Sequence, residues 1–351
     1  MLTKKQITEI KEHLNNAQNP LFFFDNDQDG LCSFLLLQRY LERGKGFPVK
    51  TSPLEKNYIR KVNELSPDYL FILDVPEVSQ EFFKEIEKIN LPVVWIDHHI
   101  IDKNKIPKFV NYYAPSSKKI HESATTYLCY EITGKKEDLW LAVAGCISDN
   151  FTPEYYRDFK KLYPEMSIDS NIAKEIFYGS EIGKIANLFG AGLKDKTTNV
   201  IKMIKFLMHV KTPYEILEES QKNKEMHDKF NEINQKYEKL ISKAKENVKS
   251  PDKLVFFEYA GSTSMSSELS NRIHYLFPDK FVFVAYIPQE KEFANISARG
   301  KNVKDVLEKV FEKGNFENAR GGGHKDAVGG KIMKKELEKF KKIVMEVVGM
   351  N

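Results

Sequence analysis

The sequence predicts an α/β protein of two domains: an amino-terminal parallel-sheet domain and a smaller carboxyl-terminal α/β domain, joined by a long helical connector. Three observations carry this prediction. The chain has 351 residues, about twice the length of a common single domain. Short continuous apolar runs alternate with helical patterns in roughly the first 150 residues, as is typical of buried parallel strands in βαβ units. A second set of such runs follows a break at Pro251-Asp252. We therefore expect domain boundaries of 1–210, 211–250 and 251–351.

Each strand predicted for the first domain is followed directly by an aspartate. Helical patterns come after the first two strands, over Leu31–Leu41 and Gln80–Ile89. Because open α/β sheets bind ligands outside the carboxyl ends of their strands, the aspartates mark a candidate site. The strands and their aspartates are Leu21–Phe24 with Asp25, Tyr69–Leu73 with Asp74, and Pro92–Ile96 with Asp97.

The middle of the chain is predicted to be helical. Helical stretches cover Ala124–Ile132, Leu139–Ile147 and Asn199–Val210. From Pro213 to about Val248 the pattern is that of one long polar helix, with apolar residues every three or four positions. We interpret this helix as a connector packed along its own domains, with a coiled-coil dimer surface as the alternative. Its apolar positions are Met226, Phe230, Ile233, Tyr237, Leu240 and Ala244.

The carboxyl-terminal domain repeats the alternation of strands and helices on a smaller scale. Its apolar runs are again short and continuous, which indicates a second buried sheet. The predicted elements are strands over Leu254–Phe257, Phe281–Val284 and Ala294–Ser297, helices over Ser266–Leu276, Val303–Phe311 and Lys335–Val348, and a glycine-rich loop over Gly321–Gly323.

Composition excludes several classes of protein. Hydrophobic residues make up 41% and charged residues 30%, which excludes a disordered or fibrous chain. A net charge of +4 does not indicate a protein that coats DNA, so any contact with nucleic acid needs a local basic patch. No apolar run approaches the roughly 20 residues of a membrane span. Because Cys32, Cys129 and Cys146 lie in apolar runs without metal-type spacing, we expect buried free thiols and a cytoplasmic location.

Three carboxylates alternate along one turn directly after the first strand. They belong to Asp25, Asp27 and Asp29. Like charges this close repel each other, and proteins normally hold them with cations. A calcium loop would need a glutamate at its twelfth position, whereas Gln38 and Glu42 fall on a helical pattern. A cation site other than calcium is therefore predicted, with an Asp-rich surface loop as the alternative.

Two adjacent histidines strengthen the case for a metal. Asp97-His98-His99 follows a strand, like Asp74, and a pair of histidines in this position is difficult to explain structurally. Imidazole with carboxylate suits Mn²⁺, Zn²⁺ or Fe²⁺, while several oxygen ligands favour Mn²⁺ or Mg²⁺. Asp149, at the end of an apolar helix, offers a further carboxylate, with helix capping as the alternative.

In the order in which they occur, these motifs resemble those of the DHH phosphoesterase superfamily over nearly the whole chain. Asp25-x-Asp27-x-Asp29-Gly30 is similar to the first motif of the superfamily. This motif starts with an aspartate here, as it does in RecJ-type exonucleases, whereas in nanoRNases and family II pyrophosphatases it starts with a histidine. Asp74, Asp97-His98-His99 and Asp149 resemble the second, third and fourth motifs. Gly321-Gly322-Gly323-His324 and the upstream Ser297-Ala298-Arg299 resemble the DHH-associated carboxyl-terminal domain. No sequence is left for the OB-fold domain of bacterial RecJ, so the resemblance is to a compact, archaeal-type RecJ.

The resemblance implies a role for each motif residue. Two divalent ions are expected, Mn²⁺ in preference to Mg²⁺, with Asp74 as the bridging ligand. His99 would face the scissile phosphate as a catalytic residue, and Asp97 would orient a histidine. The implied metal ligands are Asp25, Asp27, Asp29, Asp74, His98 and Asp149, and the implied substrate-binding residues are Ser297, Arg299, Gly321, Gly322, Gly323 and His324.

The same resemblance implies a metal-dependent exonuclease that releases mononucleotides from single-stranded DNA or RNA. The alternative is a nanoRNase or a phosphodiesterase of small nucleotides such as cyclic dinucleotides or nucleoside bisphosphates. A non-enzymatic replisome scaffold is a third possibility, which the complete acidic set argues against. Single-stranded DNA or RNA is the expected partner, together with helicase-associated replication or repair proteins, and no membrane is expected.

Overall fold

A computed structural model describes residues 1–99, 101–115, 123–246, 248, 252–261 and 264–349. The chain divides into two compact units, Met1–Asn231 and Glu232–Asn351, and each contains its own sheet. The predicted α/β class with two sheet domains is confirmed. The boundary lies within the segment predicted as a connector, and the finer boundaries at 210 and 250 stay predictions. Among the described residues, no helix is long and apolar enough to cross a membrane.

A parallel sheet of five strands forms the centre of the first unit. Its order is β2-β1-β3-β4-β5, and every neighbouring pair is parallel. After β1, the chain adds β2 on one side of β1 and then crosses over to add β3, β4 and β5 on the other side. The direction in which strands are added to the sheet therefore reverses between β1 and β3. The three predicted strands are present, and two edge strands join them. The strands are β1 (Pro20–Asp25), β2 (Lys45–Val49), β3 (Tyr69–Leu73), β4 (Val93–Ile96) and β5 (Val110–Tyr113).

Helices cover both faces of this sheet. On one face, Phe22 and Phe71 belong to a large apolar core shared with the central helices, while Phe23 and Ile72 pack into a separate core on the other face. Both faces are buried, which is why the strands are continuous apolar runs. The helices are α1 (Lys4–Asn16), α2 (Gln28–Leu41), α3 (Ile59–Leu65), α4 (Gln80–Lys88), α5 (Thr125–Thr133), α6 (Leu139–Ser148), α7 (Tyr156–Leu162), α8 (Ala173–Gly179), α9 (Glu181–Leu193), α10 (Thr197–Leu207) and α11 (Tyr214–Leu217). As predicted, Cys32, Cys129 and Cys146 are buried free thiols.

The long helix α12 (Lys224–Glu246) begins later than predicted. The sequence pattern placed its start at Pro213, but the short helix α11 and a turn come first. Asn223 stabilises this turn, because its side-chain oxygen accepts the backbone N–H of Ser220 at 2.7 Å. Such local side-chain bonds compete with helix. The helix buries Met226 in the core of the first unit and Ile241 and Ala244 in a core of the second.

The second unit contains a mixed sheet of order β6-β7-β8-β10-β9. β6 and β7 pair in parallel, and the other pairs are antiparallel. Helix α13 (Ser266–Leu276) packs on one face, and α14 (Val303–Gly314) and α15 (Leu337–Gly349) pack on the other. The strands are β6 (Leu254–Gly261), β7 (Phe281–Pro288), β8 (Phe293–Arg299), β9 (Arg320–His324) and β10 (Ala327–Met333).

The glycine-rich segment Gly321–Gly323 is a strand and not the predicted loop. β9 and β10 form an antiparallel hairpin in which Gly322 lies opposite Gly329. A Cβ atom on Gly321 would lie 2.7 Å from Cε2 of Phe311, so the missing side chain allows α14 to pack against the strand. Glycines carry none of the β-branched or aromatic signal by which strands are recognised.

Candidate metal centre

The first three predicted carboxylates lie where β1 ends and α2 begins. Asp25 is the last residue of β1, Asp27 caps α2 by accepting the backbone N–H of Gly30 at 2.9 Å, and Asp29 lies in the first turn. A Cβ atom on Gly30 would come within 2.4 Å of the carbonyl oxygen of Asp25. Glycine at this position therefore allows the helix to start directly against the strand end.

Asp74 joins these carboxylates from the neighbouring strand. It follows β3 with φ of +59°, a left-handed conformation that costs a non-glycine residue about 1–3 kcal/mol. Its backbone N–H donates to the carbonyl of Ile96 at 3.1 Å, and its side chain is 3% exposed. Since β1 and β3 are the strands between which the sheet order reverses, the carboxylates gather where open α/β sheets bind ligands.

The amino end of α5 fixes two of these carboxylates. The backbone N–H groups of Thr125 and Thr126 donate to the two oxygens of Asp29 at 2.8 and 2.7 Å, and the Thr125 hydroxyl donates to Asp74 at 2.9 Å. The helix dipole favours negative charge at this end. A Cβ on Gly145 of α6 would lie 2.3 Å from Oγ1 of Thr126, so this glycine lets α5 approach. Neither threonine stands out in the sequence as a functional residue.

His98 follows β4 and points its Nε2 atom at three carboxylates. The Nε2 atom lies 3.4 Å from Asp149, 3.5 Å from Asp74 and 4.0 Å from Asp29. Asp149 is the residue that ends α6, and it reaches this cluster from outside the sheet. The structure therefore brings the residues of all four predicted acidic and histidine motifs together.

His99 makes a different contact. Its backbone N–H and its Nδ1 both lie close to Oδ1 of the fully buried Asp97, at 2.6 and 2.8 Å. Burial alone would lower the pKa of His99, but the hydrogen bond and the charge of Asp97 raise it to about 9. In the metal-free protein this raised pKa favours the positively charged imidazole, and Nδ1 of the ring lies against Asp97. Nδ1 of His99 also lies 3.8 Å from Asp74.

The carboxylates repel each other in the absence of a cation. Burial, and then the charge of Asp27, raises the pKa of Asp25 to about 7. Burial and the charge of Asp29 raise the pKa of Asp27 to about 6. The same two causes hold the pKa of Asp74 well above the ordinary range. The side chain of Asp149 is 40% exposed, and its partial burial together with the charges of Asp29 and Asp27 raises its pKa. Converging carboxylates of this kind are the ligands that divalent cations neutralise.

The donor set fits such cations. Three overlapping groups of side chains each bring ligand atoms within 4.8 Å of one another. Asp74 and His98 each belong to two of the groups, which makes Asp74 suitable as a shared ligand. Oxygen donors with imidazole suit Mn²⁺, and a wholly oxygen-donating subset suits Mg²⁺. The groups are Asp25, Asp27 and Asp74; Asp29, His98 and Asp149; and Asp74, His98 and His99.

The predicted substrate-binding residues lie in the second unit. Ser297 and Arg299 belong to β8, and the Gly321–His324 segment is part of β9. The guanidinium of Arg299 donates to the side-chain oxygen of Asn271 at 2.6 Å and to the Ser297 hydroxyl at 3.2 Å. The sequence analysis missed Asn271, which lies on α13 and orients Arg299.

Metal-free protein should lose thermal stability as the pH rises from about 4 to about 7. An aspartate with a pKa raised to about 7, like Asp25, or about 6, like Asp27, favours the folded state while it is protonated. That contribution is lost as the pH rises from the unfolded value of 3.8 through the folded value. Scanning fluorimetry in EDTA measures this slope, which the Asp25→Asn/Asp27→Asn variant should flatten. A slope equally steep in this variant would exclude the two carboxylates as its cause.

Comparison with known proteins agrees with this arrangement. The family model "DHH family, N-terminal domain" matches residues 21–148, and the DHHA1 domain model matches residues 252–350. No curated protein matches the chain. RecJ from Thermus thermophilus in complex with Mn²⁺ is 16% identical, with a TM-score of 0.66 over 99% of this chain and 54% of that chain. The present chain thus spans about half the length of that RecJ.

Two further structures match over most of both chains. Exonuclease RecJ bound to manganese is 16% identical, with a TM-score of 0.61 over 99% of this chain and 95% of that chain. The pGpG-specific phosphodiesterase PggH from Vibrio cholerae is 13% identical, with a TM-score of 0.52 over 95% and 99%. The two domain models occur in the order that the motifs predict. The chain belongs to the DHH family, carries a DHHA1 domain, and has a RecJ-like fold.

Proposed function

We propose that this chain is a metal-dependent exonuclease that releases mononucleotides from an end of single-stranded DNA or RNA. The observation that carries the proposal is the convergence of carboxylates and His98 where the sheet order reverses, in ligand groups that share Asp74. Membership of the DHH superfamily supports hydrolysis of phosphodiester bonds. The RecJ-like fold supports single-stranded nucleic acid as the substrate, and replication or repair proteins are the proposed partners.

Two divalent ions, proposed to be Mn²⁺ with Mg²⁺ as the alternative, suit this donor set. Bound ions of this kind polarise phosphate oxygens and make water a good nucleophile at neutral pH. Asp74 would be shared, and the bonds from Thr125 to Asp74 and from α5 to Asp29 would hold both carboxylates in place. One ion would be held by Asp25, Asp27 and Asp74, and the other by Asp29, Asp74, His98 and Asp149.

His99 is proposed to bind the scissile phosphate. Asp97 holds its Nδ1 atom at 2.8 Å, which leaves Nε2–H of the charged ring as a donor. A charge-assisted hydrogen bond from this atom to a non-bridging phosphate oxygen would stabilise the charge that develops during displacement. In this role Asp97 is a positioning residue.

The second unit is proposed to bind the substrate strand. Arg299 is held in place by Asn271 and Ser297, and a guanidinium fixed in this way suits a phosphate. A Cβ added to Gly322 would meet no atom within 4 Å, so a nucleotide can approach the backbone here. Gly321, Gly323 and His324 complete the proposed set.

A phosphodiesterase of dinucleotides is the second candidate. The match to PggH favours it, because 99% of the PggH chain is covered. The net charge of only +4 also favours it, since a dinucleotide carries few phosphates and needs less positive charge for binding than a long strand does. Such an enzyme would hydrolyse a dinucleotide faster than a long strand.

Labelled oligonucleotides, end-labelled where linear and internally labelled where circular, separate these candidates. Linear and circular single strands of DNA and RNA, and a dinucleotide, are incubated with Mn²⁺ or with EDTA. We expect mononucleotides from linear strands, no cutting of circles and no hydrolysis in EDTA. Cutting of circles would indicate an endonuclease, a preference for the dinucleotide would favour the second candidate, and full activity after chelation would contradict metal dependence.

A further inference from the structure

The amino end of α5 is capped by a residue of another helix. Its own N-cap residue is Ala124, whose side chain cannot accept a hydrogen bond from the first turn. The first backbone N–H groups of a helix need an acceptor when they are buried. Here Asp29 of α2 provides it, because its two oxygens accept the N–H groups of Thr125 and Thr126. Asp29 therefore caps α5 in addition to belonging to the candidate metal centre.

The hydroxyl groups of the two threonines bind different residues. Both threonines are fully buried, and a buried hydroxyl without a partner costs about 1–3 kcal/mol. The hydroxyl of Thr126 stays with Asp29, because it donates to the backbone carbonyl of that residue at 2.9 Å. The hydroxyl of Thr125 reaches a second carboxylate instead, since it donates to Oδ1 of Asp74 at 2.9 Å.

Thr125 therefore joins carboxylates from two separate segments of the chain. Its backbone N–H binds Asp29 in α2, and its hydroxyl binds Asp74 at the end of β3. Oδ1 of Asp74 is also the oxygen that lies 3.5 Å from Nε2 of His98 and 3.8 Å from Nδ1 of His99. The hydroxyl thus holds the oxygen of Asp74 that faces the histidines.

The carboxylates of Asp25 and Asp27 are held by their own segment. Oδ1 of Asp25 accepts the backbone N–H of Asn26 at 2.8 Å, and Oδ1 of Asp27 accepts that of Gly30 at 2.9 Å. Both donors belong to the turn between β1 and α2 or to the first turn of α2. Loss of the Thr125 hydroxyl should therefore leave these two carboxylates in place.

We propose that Thr125 is a positioning residue of the metal centre, whose hydroxyl sets the affinity for the cation held by Asp74 and His98. Alanine is a better helix former than threonine and would donate the same backbone N–H to Asp29, so the hydroxyl is what threonine adds at this position. A group that hydrogen-bonds to a metal ligand usually changes the metal affinity by about 10- to 100-fold. The inference rests on the two-cation site of the proposed function and adds a residue to it.

Calorimetric titration of metal-free protein with Mn²⁺ tests this role without requiring hydrolysis. Valine has nearly the shape of threonine, so Thr125→Val keeps the backbone bond to Asp29 and removes the bond to Asp74. We expect one of two Mn²⁺ binding events to weaken at least about tenfold and the other to change less than about threefold. Two events of wild-type affinity, or equal weakening of both, would overturn the inference.

Two further substitutions separate the hydroxyl from the rest of the side chain. Thr125→Ser keeps a donor at this position and should bind both ions within about threefold of wild-type affinity. Thr133→Val makes the same change at the other end of α5, where the hydroxyl is buried and has no hydrogen-bond partner among the described residues. It should leave Mn²⁺ binding unchanged, and weakening equal to that in Thr125→Val would overturn the role of the Thr125 hydroxyl. If Thr125→Val does not fold, Thr125→Ala takes its place, because it removes the hydroxyl without placing a methyl group against the carboxylate.

Double variants identify which cation the hydroxyl affects. His98→Ala removes a proposed ligand of one cation, and Asp27→Asn removes a proposed ligand of the other. Because substitutions that act on one contact are not additive, Thr125→Val should weaken Mn²⁺ binding by less than about threefold when added to His98→Ala. Added to Asp27→Asn, it should keep its full effect of at least about tenfold. The reverse pattern would overturn the assignment to the cation held by His98.

The positioning role and the exonuclease fail in different ways. If Thr125→Val loses Mn²⁺ affinity as expected but the wild type hydrolyses no nucleic acid, the role of Thr125 is supported and the exonuclease is contradicted. If the wild type releases mononucleotides but Thr125→Val binds Mn²⁺ as tightly as the wild type, the exonuclease stands and the role of Thr125 is overturned. In an active enzyme, high Mn²⁺ should restore the rate lost in Thr125→Val and leave the KM for the oligonucleotide unchanged.

Discussion

Replacing Asp74 by asparagine should lower hydrolysis of a single-stranded oligonucleotide by at least about three orders of magnitude, which corresponds to about 4 kcal/mol of transition-state stabilisation. Asp74 is buried, belongs to two of the three ligand groups and accepts the hydroxyl of Thr125. Asparagine has the same shape, and its side-chain oxygen can still accept the hydrogen bond from this hydroxyl. Because it lacks the negative charge and has an amide nitrogen in place of the second oxygen, it is a poor ligand to share between two cations. Initial rates with saturating Mn²⁺ measure the effect.

The same substitution should not unfold the protein. Burial and neighbouring carboxylates raise the pKa of Asp74, so removal of its charge should raise the melting temperature of the metal-free chain at neutral pH. The matched control is Asp158→Asn, on an exposed residue of α7 that pairs with Lys161, and it should leave rate and melting temperature unchanged. A rate within tenfold of wild type in Asp74→Asn would exclude Asp74 as the bridge.

Asp97→Asn should slow hydrolysis by about 10- to 100-fold, the usual loss when the partner of a catalytic-site histidine is removed. Asparagine can still accept the backbone N–H of His99, so the turn should persist. Burial lowers the pKa of His99, whereas the hydrogen bond and the charge of Asp97, with smaller contributions from Asp149 and Asp29, raise it. In Asp97→Asn the imidazole of His99 should therefore lose its proton, and with it the positive charge proposed to bind the phosphate, at a lower pH than in the wild type.

The pH profile separates this effect from a structural one. If charged His99 is the active form, wild-type kcat should fall at alkaline pH, and in Asp97→Asn this fall should begin at a lower pH, because the charge and hydrogen bond of Asp97 raise the pKa of His99. The profile is measured with Mg²⁺, at pH values below that at which its hydroxide precipitates. His99→Gln provides the control, because it should lack this alkaline fall altogether. An unchanged profile in Asp97→Asn would remove the positioning role from Asp97.

The buried parts of the fold could be predicted from the sequence. Strands such as Tyr69–Leu73 are covered on both faces, so the whole run is apolar and stands out against its polar surroundings. The strand over Lys45–Val49 lies at the edge of the sheet, is partly exposed and contains glycine and proline. It therefore carries neither a continuous nor an alternating pattern, and the sequence analysis did not predict it.

The candidate site was predictable where its chemistry resides in side chains at strand ends. Asp25, Asp74 and Asp97 each end or follow a strand of the parallel sheet, and parallel strands present their carboxyl ends at one edge. The contacts that orient these groups were not predictable. Two of the donors to Asp29 are backbone N–H groups of Thr125 and Thr126, which every residue type except proline possesses.

Titration of metal-free protein with Mn²⁺, followed by calorimetry, tests the central claim most directly, because it depends on the carboxylate cluster alone and not on the choice of substrate. We predict two ions bound per wild-type chain, with protons released on binding because the pKa of Asp25 is raised to about 7 and that of Asp27 to about 6. Asp74→Asn should weaken both binding events, and Asp158→Asn should weaken neither. Absence of Mn²⁺ binding by the wild type, or two undiminished binding events in Asp74→Asn, would contradict a metal centre built around Asp74.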